Sequence, residues 1–449
     1  MSTTDPAAIH GELREAPPSG GLPFFGHFFE VRRDMVGGLD RLRKRFGPAF
    51  WGALPGMRVL VLLGPEANEL VLHDRAGNYA NGPGWEPFLG RIFPGALLSM
   101  DGVPHRHARR LMQGAFSRRA LAGYLDLMTQ TIAGGLAGWG AGARAFELPV
   151  YPALKRLTLD VASRALMGIE LGPQAASLNR DFIDMVGGTF SPIPWAIPGT
   201  PLWRGVRARR RLVRALAPLI PARREAEGED LLTRLCNASS EEGERFSDRE
   251  VIDHLAFLMM AAHDTSTTAL TTMIYLLARD QRWQDRLREE SLARGPEPVD
   301  VDGEALAPLT WTFKEALRLY PPVSSMPRQA IREHSFLGFR VPAGATVGAY
   351  PVHTHHMPEI WTDPARFDPE RFAEHRREDR RHPGAFVPFG GGVHLCIGLH
   401  FGGLEVREVM HQLVRTLRWR VPDGYTMPYE RLPIGYPRDG LPVLFERLT

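Results

Sequence analysis

The chain has 449 residues, of which 44% are hydrophobic, and this is enough apolar side chain for a large core. Its 54 basic and 51 acidic residues give a net charge of +3, which excludes the strongly basic balance of a nucleic-acid-binding protein. The two cysteines, Cys236 and Cys396, exclude a disulfide framework and favour a reducing compartment, so the cytoplasm is the expected location.

The first 22 residues are polar and rich in Pro and Gly, and this composition predicts a poorly ordered tail. They show no secretory signal pattern, and no apolar stretch of the chain reaches the ~20 residues that span a bilayer, so no membrane anchor is expected. The next pattern, Trp51–Leu63, has two short β-prone runs around a Pro-Gly turn, which predicts a hairpin.

Helical patterns dominate from Asp101 to Glu290, with breaks at the Gly-rich Gly134–Gly142 and at Pro192–Pro201. The longest uninterrupted pattern is Asp248–Arg279. Ser247 followed by Glu250 forms a capping box that predicts where this helix begins. A helix of this length is expected to cross the whole molecule.

Residues 335–352 alternate as strands do, with a turn at Pro342–Gly344. After Asp363 the sequence predicts mostly loop, until a last helix begins near Cys396. The chain shows no internal repeat and no interior linker. We therefore predict a mainly α fold with a small β region, in which residues 23–449 form one large domain.

The pattern Phe389–Gly398 (FGGGVHLCIG) surrounds Cys396 with glycines. Glycine has no Cβ, so the backbone can pass close to a flat cofactor. The helical pattern starts just after Cys396, and a thiol at a helix N-terminus is favoured in its ionised form. An isolated cysteine in such a turn would more often be an inert buried thiol.

Three other patterns carry charge or hydroxyl groups, and each has an ordinary structural explanation when taken alone. Glu315 and Arg318 lie three apart on one helix face, as in an everyday surface pair. Asp264 and Thr265 interrupt an apolar run, as on a helix face turned to solvent. The segment that starts at His105 has the spacing of a basic helix facing solvent.

Together with Asp368–Phe372 (DPERF), these segments in this order resemble the cytochrome P-450 family. The resemblance covers the chain from the hairpin to the last helix. It implies a single mainly α domain in which the long central helix crosses haem b (iron protoporphyrin IX), with Cys396 as the ligand of the iron. One position departs from the family's commonest form, because Ala262 stands where Gly is usual.

The resemblance also implies roles for individual residues. The residues expected to bind the cofactor are His105, Arg109, Arg328, Phe389, Gly392, His394, Cys396 and Gly398. Asp264 and Thr265 are the expected catalytic pair, which would relay protons to the oxygen site. A buried charge network of Glu315, Arg318 and Arg371 would brace the cysteine loop. The expected substrate pocket is largely apolar and comprises Phe88, Phe93, Leu97, Phe190, Ala261, Ala262, Val323 and Ile434.

By the same resemblance, the chain is expected to be a monooxygenase that inserts one oxygen atom of O2 into a lipophilic small molecule. Its electrons would come from NAD(P)H through a ferredoxin reductase and a ferredoxin, because no flavin or iron–sulfur motif is present. A monomer is expected. Two alternatives stay open at this point: a peroxygenase driven by peroxide, which the Asp264–Thr265 pair disfavours, and a haem protein that binds or senses without turnover.

Two further patterns are interpreted as structural. His353, His355 and His356 lie in a strand-to-loop region without a spaced Cys or carboxylate, so a zinc site is not expected there. The run Arg207–Arg211 lacks interleaved aromatic residues, and we expect it to be a solvated helix face and not a nucleic-acid site.

Overall fold

The structure is a computed structural model, and it describes residues 13–54, 56–169, 172–189, 191, 195–240 and 243–448. Its helices, in chain order, are α1 Phe28–Arg33, α2 Met35–Phe46, α3 Pro65–Asn68, α4 Gly82–Leu89, α5 Gly102–Gln113, α6 Arg118–Ala137, α7 Val150–Met167, α8 Pro173–Thr189, α9 Pro201–Leu216, α10 Ile220–Glu225, α11 Leu231–Asn237, α12 Asp248–Arg279, α13 Gln281–Arg294, α14 Ala307–Leu319, α15 Pro351–Thr354 and α16 Leu399–Thr416.

The strands are short. They are β1 Ala49–Leu54, β2 Met57–Leu62, β3 Tyr79–Ala80, β4 Ala145–Pro149, β5 Met326–Ala330, β6 His334–Phe336, β7 Phe339–Val341, β8 Thr346–Ala349, β9 Leu417–Arg420, β10 Tyr429–Glu430, β11 Tyr436–Pro437 and β12 Pro442–Arg447. The fold is therefore mainly α with a small β region, as predicted.

Helix α12 begins and ends where the sequence pattern predicts. The Ser247 hydroxyl accepts a hydrogen bond from the Glu250 N–H, and the Glu250 carboxylate accepts one from the Ser247 N–H, so both halves of the capping box form. Most residues of α12 are buried, because α7, α14 and α16 pack around it. A helix that is buried on all sides forms the centre of the molecule.

The predicted hairpin is confirmed as β1 and β2, which pair antiparallel with Trp51 opposite Leu60. It continues into a five-stranded sheet of order β1-β2-β8-β5-β3, in which β2 and β8 run parallel. Val59, Leu60, Val61 and Leu62 are all buried, as expected for an interior strand that is covered on both faces.

The prediction of a poorly ordered N-terminal tail does not hold for residues 13–22, while residues 1–12 lie outside the described residues. The Trp51 N–H donates to the Pro17 carbonyl (2.8 Å), and the Ser19 N–H donates to the Trp51 carbonyl (2.9 Å). Ala16 is buried between the sheet strands. A proline lacks an N–H but keeps its carbonyl, so this Pro-rich segment can still pair with a sheet edge.

The C-terminal strands were missed by the sequence analysis. After α16, β9 and β12 form a three-stranded sheet with β4, in which Phe445 lies opposite both Phe146 and Trp419. The Arg207–Arg211 interpretation also needs one correction. Arg209 is buried and pairs with Asp253 on α12, whereas the other arginines of the run, Arg207, Arg210 and Arg211, are exposed.

No helix within the described ranges is both long enough and apolar enough to cross a membrane.

Candidate active site

A large internal cavity lies where α12, α14 and the loop before α16 meet. It contains about 1460 Å³ of empty space, including its open mouth. Of the residues predicted to bind the cofactor, all but Gly392 line it: His105, Arg109, Arg328, Phe389, His394, Cys396 and Gly398. Side chains that are 291 residues apart in the sequence, such as His105 and Cys396, thus face one space.

Cys396 is held at the end of the glycine loop, two residues before the N-cap Gly398 of α16. Its N–H donates to the Phe389 carbonyl (3.0 Å), which closes the loop. Its side chain is exposed and lines the cavity. Burial within the protein raises the pKa of the Cys396 thiol, although the Gly398 N–H, Arg109 and the Leu399 N–H act in the opposite direction. A metal cation favours the ionised form of a thiol, so a cation bound in the cavity would stabilise the Cys396 thiolate.

Two glycines of the loop, Gly391 and Gly392, pack against His73 and do not line the cavity. A Cβ on Gly391 would lie 2.3 Å from the His73 ring, and one on Gly392, at φ +59°, would lie 2.5 Å from the His73 carbonyl oxygen. At Gly392 the contact is with backbone and φ is positive, so only glycine fits there, whereas a larger residue at Gly391 would displace the His73 ring. Gly392 was predicted to bind the cofactor, but here it lets the loop press against the segment Glu69–His73.

The basic side chains form a rim on one side of the cavity. The His105 and His394 rings contact each other at a tilt of 39° with their centroids 4.1 Å apart, and His394 Nε2 lies 3.4 Å from the Asp101 carboxylate. Burial, together with the positive charge of His394 and Arg109, lowers the pKa of His105 to about 4. His105 is therefore neutral at physiological pH and can donate or accept a hydrogen bond without adding charge.

Two arginines in this rim lack a counter-ion. Arg328 is buried, and its guanidinium donates to the Pro327 carbonyl (2.9 Å). No carboxylate in the described part of the chain lies within ion-pair distance of Arg328 or Arg109. Burial lowers the pKa of Arg328 to about 10, and that of Arg109 falls for the same reason. Burying a guanidinium without an anion costs free energy, so an anionic group bound in the cavity would stabilise this rim.

The middle of α12 forms the wall of the cavity. The Thr265 hydroxyl donates to the Ala261 carbonyl one turn back (2.7 Å), and both residues line the cavity together with Ala262 and Ser266. A hydroxyl that bonds to the preceding turn loosens the helix ladder locally. Of the predicted catalytic pair, Thr265 thus faces the cavity.

Asp264 does not line the cavity. It is buried, and its Oδ1 lies 2.9 Å from the Lys155 ammonium on α7 and 3.1 Å from His263 Nε2. Burial alone would raise the pKa of Asp264, but His263 and Lys155 outweigh it and hold the pKa well below its ordinary value. Lys155 was missed by the sequence analysis, because 109 residues separate it from Asp264. Its side chain keeps 22% of its surface exposed, so the pair connects the interior to solvent.

The predicted charge network is present and completely buried. Arg318 binds both oxygens of Glu315 (2.7 and 2.8 Å), and Arg371 donates to the same carboxylate (3.1 Å). Glu378, which the sequence analysis missed, accepts a hydrogen bond from Arg371 (2.9 Å). Arg318 also donates to the His355 carbonyl (2.8 Å). The network therefore joins α14 to the segment that leads to the cysteine loop.

The ring of His355 also forms a hydrogen bond in this region. Its Nε2 accepts a hydrogen bond from the Val387 N–H (3.2 Å), and burial lowers its pKa to about 3. No group of three or more His, Cys, Asp or Glu side chains suited to a metal ion occurs among the residues that the structure describes.

Half of the predicted substrate-pocket residues line the cavity: Leu97, Ala261, Ala262 and Val323. Phe93 is fully buried behind the wall, where its ring packs on Phe257 (6.1 Å between centroids). Phe88 packs on Trp85 (6.5 Å), and Ile434 also lies outside the lining. Phe190 lies outside the described residues.

Other apolar lining residues were missed: Phe116, Leu166, Phe257 and Leu258. Phe257 and Leu258 lie three to four residues before Ala261 and Ala262, which places all four on one face of α12. Helical spacing could therefore have found these two. Phe116 and Leu166 come from other elements, and only tertiary packing brings them here.

The comparisons with known proteins agree with this arrangement. The cytochrome P450 family model matches residues 16–439. A Mycobacterium tuberculosis protein described as cytochrome P450 136 is 41% identical, over 96% of this chain and 90% of its own. Abscisic acid 8'-hydroxylase 2 from Oryza sativa is 30% identical, over 96% of this chain and 86% of its own. The solved structure of retinoic acid-bound cyanobacterial CYP120A1 superposes with a TM-score of 0.87 at 30% identity, and covers 98% of this chain and 100% of its own.

The cavity also fits haem b. The haem is flat, carries two carboxylates and takes a thiolate as an axial ligand in this family. The cavity offers one accessible thiol, Cys396, and a rim in which Arg109 and Arg328 lack counter-ions. The chain therefore belongs to the cytochrome P450 family, whose members are haem-thiolate monooxygenases that bind haem b through a cysteine.

Proposed function

We propose that this monooxygenase hydroxylates a lipophilic isoprenoid molecule, with retinoic acid and abscisic acid as the nearest chemical examples. The observation that carries the proposal is the apolar lining of the cavity above Cys396, where Trp85, Leu97, Phe257 and Val323 face the space. An apolar pocket with few polar groups binds a lipophilic ligand. The CYP120A1 structure holds retinoic acid, and the rice relative is named for abscisic acid.

The haem, when bound, supplies the oxidising chemistry, and the chain supplies ligand, orientation and protons. Cys396 would be the iron ligand. His105, Arg109, Arg328 and His394 would hold the propionates, because charge-assisted hydrogen bonds to carboxylates would satisfy the uncompensated rim. Phe389 and Gly398 would pack against the ring system.

Thr265 and Asp264 would have different tasks in proton delivery. The Thr265 hydroxyl faces the cavity and can position a water there. Asp264 is a carboxylate at neutral pH because His263 and Lys155 keep its pKa low. We infer that it holds the Lys155 ammonium beside α12, outside the cavity lining, so that the pair passes protons from solvent towards Thr265.

The two electrons would come from another protein. Iron–sulfur clusters are held by cysteine thiolates, usually four, and these 449 residues contain two cysteines. A ferredoxin with its NAD(P)H-linked reductase, docking on the face that carries Cys396, is the donor we propose. Cytoplasmic location and a monomeric state complete the proposal.

The test is a titration of the haem-loaded protein with retinoic acid and, separately, abscisic acid, followed by turnover with a surrogate ferredoxin, its reductase and NAD(P)H. We expect a spectral shift of the haem and a hydroxylated product with at least one of the two. A cavity-filling Ala262→Phe variant should lose both signals, whereas Cys236→Ser, which lies outside the cavity, should keep them.

Three results would contradict the proposal. A spectral shift without product would indicate a binding or sensing protein. Product formed equally well with peroxide alone, and not with the ferredoxin system, would indicate a peroxygenase. The absence of both signals for both acids would exclude the isoprenoid class.

A further inference from the structure

Four tyrosines form a continuous row of rings that the chemistry described so far does not use. The ring centroids of Tyr429 and Tyr320 are 4.9 Å apart, and Tyr275 on α12 follows at 6.3 Å from Tyr320. Tyr425 completes the row, with its centroid 6.2 Å from that of Tyr275. The interplanar angles of 75°, 82° and 78° are those of edge-to-face contacts, so each ring touches the next.

The inner end of the row lies behind the wall of the cavity. A Cβ added to Gly435 would overlap the Tyr429 hydroxyl, so this hydroxyl packs directly on the Gly435 backbone. The Gly435 N–H donates to the Pro322 carbonyl (3.1 Å), and Pro322 lines the cavity. The Thr268 hydroxyl on α12 donates to the Gly435 carbonyl (2.6 Å), which fixes the position of this residue. One residue thus separates Tyr429 from a segment of the cavity wall.

The three inner rings of the row lie beside cations. The Arg431 guanidinium is 5.4 Å from the Tyr320 centroid and 5.5 Å from that of Tyr429. The Arg279 guanidinium is 5.6 Å from the Tyr275 centroid. No carboxylate of the described residues accepts a hydrogen bond from these three phenols. A cation makes the loss of an electron from a neighbouring ring less favourable, so an oxidised state is not stabilised on the inner rings.

The outer end of the row has the opposite surroundings. The Tyr425 hydroxyl donates to the Asp439 carboxylate (2.8 Å), and Asp439 is exposed to solvent. A phenol that loses an electron becomes a strong acid, and a carboxylate already bonded to it can take the proton at once. The arrangement therefore favours an oxidised tyrosine at Tyr425 over one at any inner position.

We propose that this row lets an oxidising equivalent leave the haem when no substrate takes it, and that the equivalent comes to rest on Tyr425. The oxidant is the haem after reaction with peroxide. One electron passes from Tyr425 along the row to the haem, which is reduced by one electron. The Tyr425 O–H bond breaks, and its proton goes to Asp439. A one-electron reductant in solution, such as ascorbate, restores Tyr425, which takes its proton back from Asp439. The route would spare the haem and the cavity side chains from oxidation.

Electron paramagnetic resonance tests the proposal without any substrate. The haem-loaded protein is mixed with hydrogen peroxide, freeze-quenched and examined for a tyrosyl radical, whose signal should narrow in protein labelled with ring-deuterated tyrosine. We expect Tyr425→Phe to lose the signal. In Asp439→Asn the yield should fall by on the order of tenfold or more, because an amide does not take up the phenol proton. Tyr275→Phe, which interrupts the row and leaves Tyr425 in place, should also lose most of the signal.

Tyr79→Phe is the matched control. Tyr79 is buried and its hydroxyl also has an acceptor within reach, His334 Nε2 at 2.7 Å, but it lies outside the row. This variant should give the wild-type signal. The proposal is overturned if the wild type forms no tyrosyl radical, if Tyr425→Phe keeps the signal, or if Tyr275→Phe and Tyr79→Phe give equal yields.

Tyr275 lies in the core, and haem content shows whether Tyr275→Phe has folded. Should that variant fail to fold, the substitutions at Tyr425 and Asp439, near the surface, decide the question. None of these results depends on which molecule the enzyme oxidises, so failure here leaves the proposed substrate class untouched.

Discussion

At the scale of single residues, the cavity assembles groups that each need a partner. The thiol of Cys396 is exposed to the cavity with a raised pKa, and Arg328 is buried with a lowered one. A metal cation would lower the pKa of the thiol, and a carboxylate would stabilise the guanidinium. Haem b supplies both groups: its iron would bind the thiolate of Cys396, and its carboxylates would pair with the guanidinium of Arg328.

The first prediction concerns the iron ligand. We expect Cys396→Ser to lose the red-shifted Soret band of the ferrous–carbonyl complex, because a serine oxygen does not replace the thiolate sulfur. Cys236 lies in α11, within the core and outside the cavity. Cys236→Ser should keep the band. An unchanged spectrum in Cys396→Ser would refute the assignment of the ligand.

The second prediction separates proton delivery from binding. Thr265→Ala should still bind haem, since Thr265 adds neither charge nor a ligand, but it should release hydrogen peroxide in place of product. A positioned proton donor is typically worth ~10²–10⁴-fold, so product formed per reductant oxidised should fall clearly. Thr272→Ala, on the same helix but outside the cavity, is the control. Equal coupling in all three proteins would mean that another group delivers the protons.

At the scale of secondary-structure elements, the buried network on Glu315 fixes how α14 meets the loop that leads to Cys396. Its carboxylate accepts hydrogen bonds from two arginine side chains and from the Asp368 N–H (3.0 Å). The side chains of Glu315, Arg318 and Arg371 have no exposed surface. Such a network fixes geometry more than it adds stability, because burying the charges costs nearly as much as their pairing returns.

The third prediction follows from this arrangement. Glu315→Ala leaves two buried guanidinium groups without their shared carboxylate, which should cost roughly 3–5 kcal/mol. We expect little soluble, haem-loaded protein, measured as the ratio of haem to protein absorbance after purification. Lys314→Ala, one residue earlier, removes a half-exposed ion pair with Asp379 (3.8 Å) and a contact with the Phe372 ring (5.6 Å to its centroid), and it should behave as the wild type. A soluble, haem-loaded Glu315→Ala would show that the network is dispensable.

Local patterns made some of these elements predictable and others not. The Ser247–Glu250 capping box located the start of α12, because all the atoms involved lie within one turn. The cysteine loop was found for the same reason. The pairing of β12 with β4 was not, since nearly 300 residues separate Phe146 from Phe445 and both strands are short. Lys155 and Glu378 were missed in the same way, because no fixed spacing relates them to their partners.

At the scale of the whole molecule, the buried titratable groups should make stability depend on pH. In the unfolded chain the Glu405 carboxyl has its ordinary pKa, and burial in the folded protein raises this pKa to about 8. The native state therefore holds a proton that the unfolded chain releases. The loss of folding stability that Glu405 causes is absent below its unfolded pKa of 4.5. It grows as pH rises and is complete above about pH 8.

The fourth prediction follows from this direction of the pH dependence, in which the wild type loses stability as pH rises. The free energy of unfolding of Glu405→Gln relative to the wild type should rise between about pH 5 and about pH 8, by on the order of 4 kcal/mol at most. Chemical denaturation of both proteins across this range measures it. Glu297→Gln, at an exposed position, should follow the wild type at every pH. A constant difference between Glu405→Gln and the wild type would mean that Glu405 does not change its protonation state over this range.

The pairing of residues 17–19 with strand β1 has a practical consequence for handling the protein. Strand β1 is the edge of the five-stranded sheet, and the backbone of Trp51 is hydrogen-bonded to Pro17 and Ser19 on that side. An uncovered edge strand is a template for other chains to add to. Deletions that reach past Ser19 should therefore promote aggregation during expression, whereas fusion tags placed before Arg14 leave this cover in place.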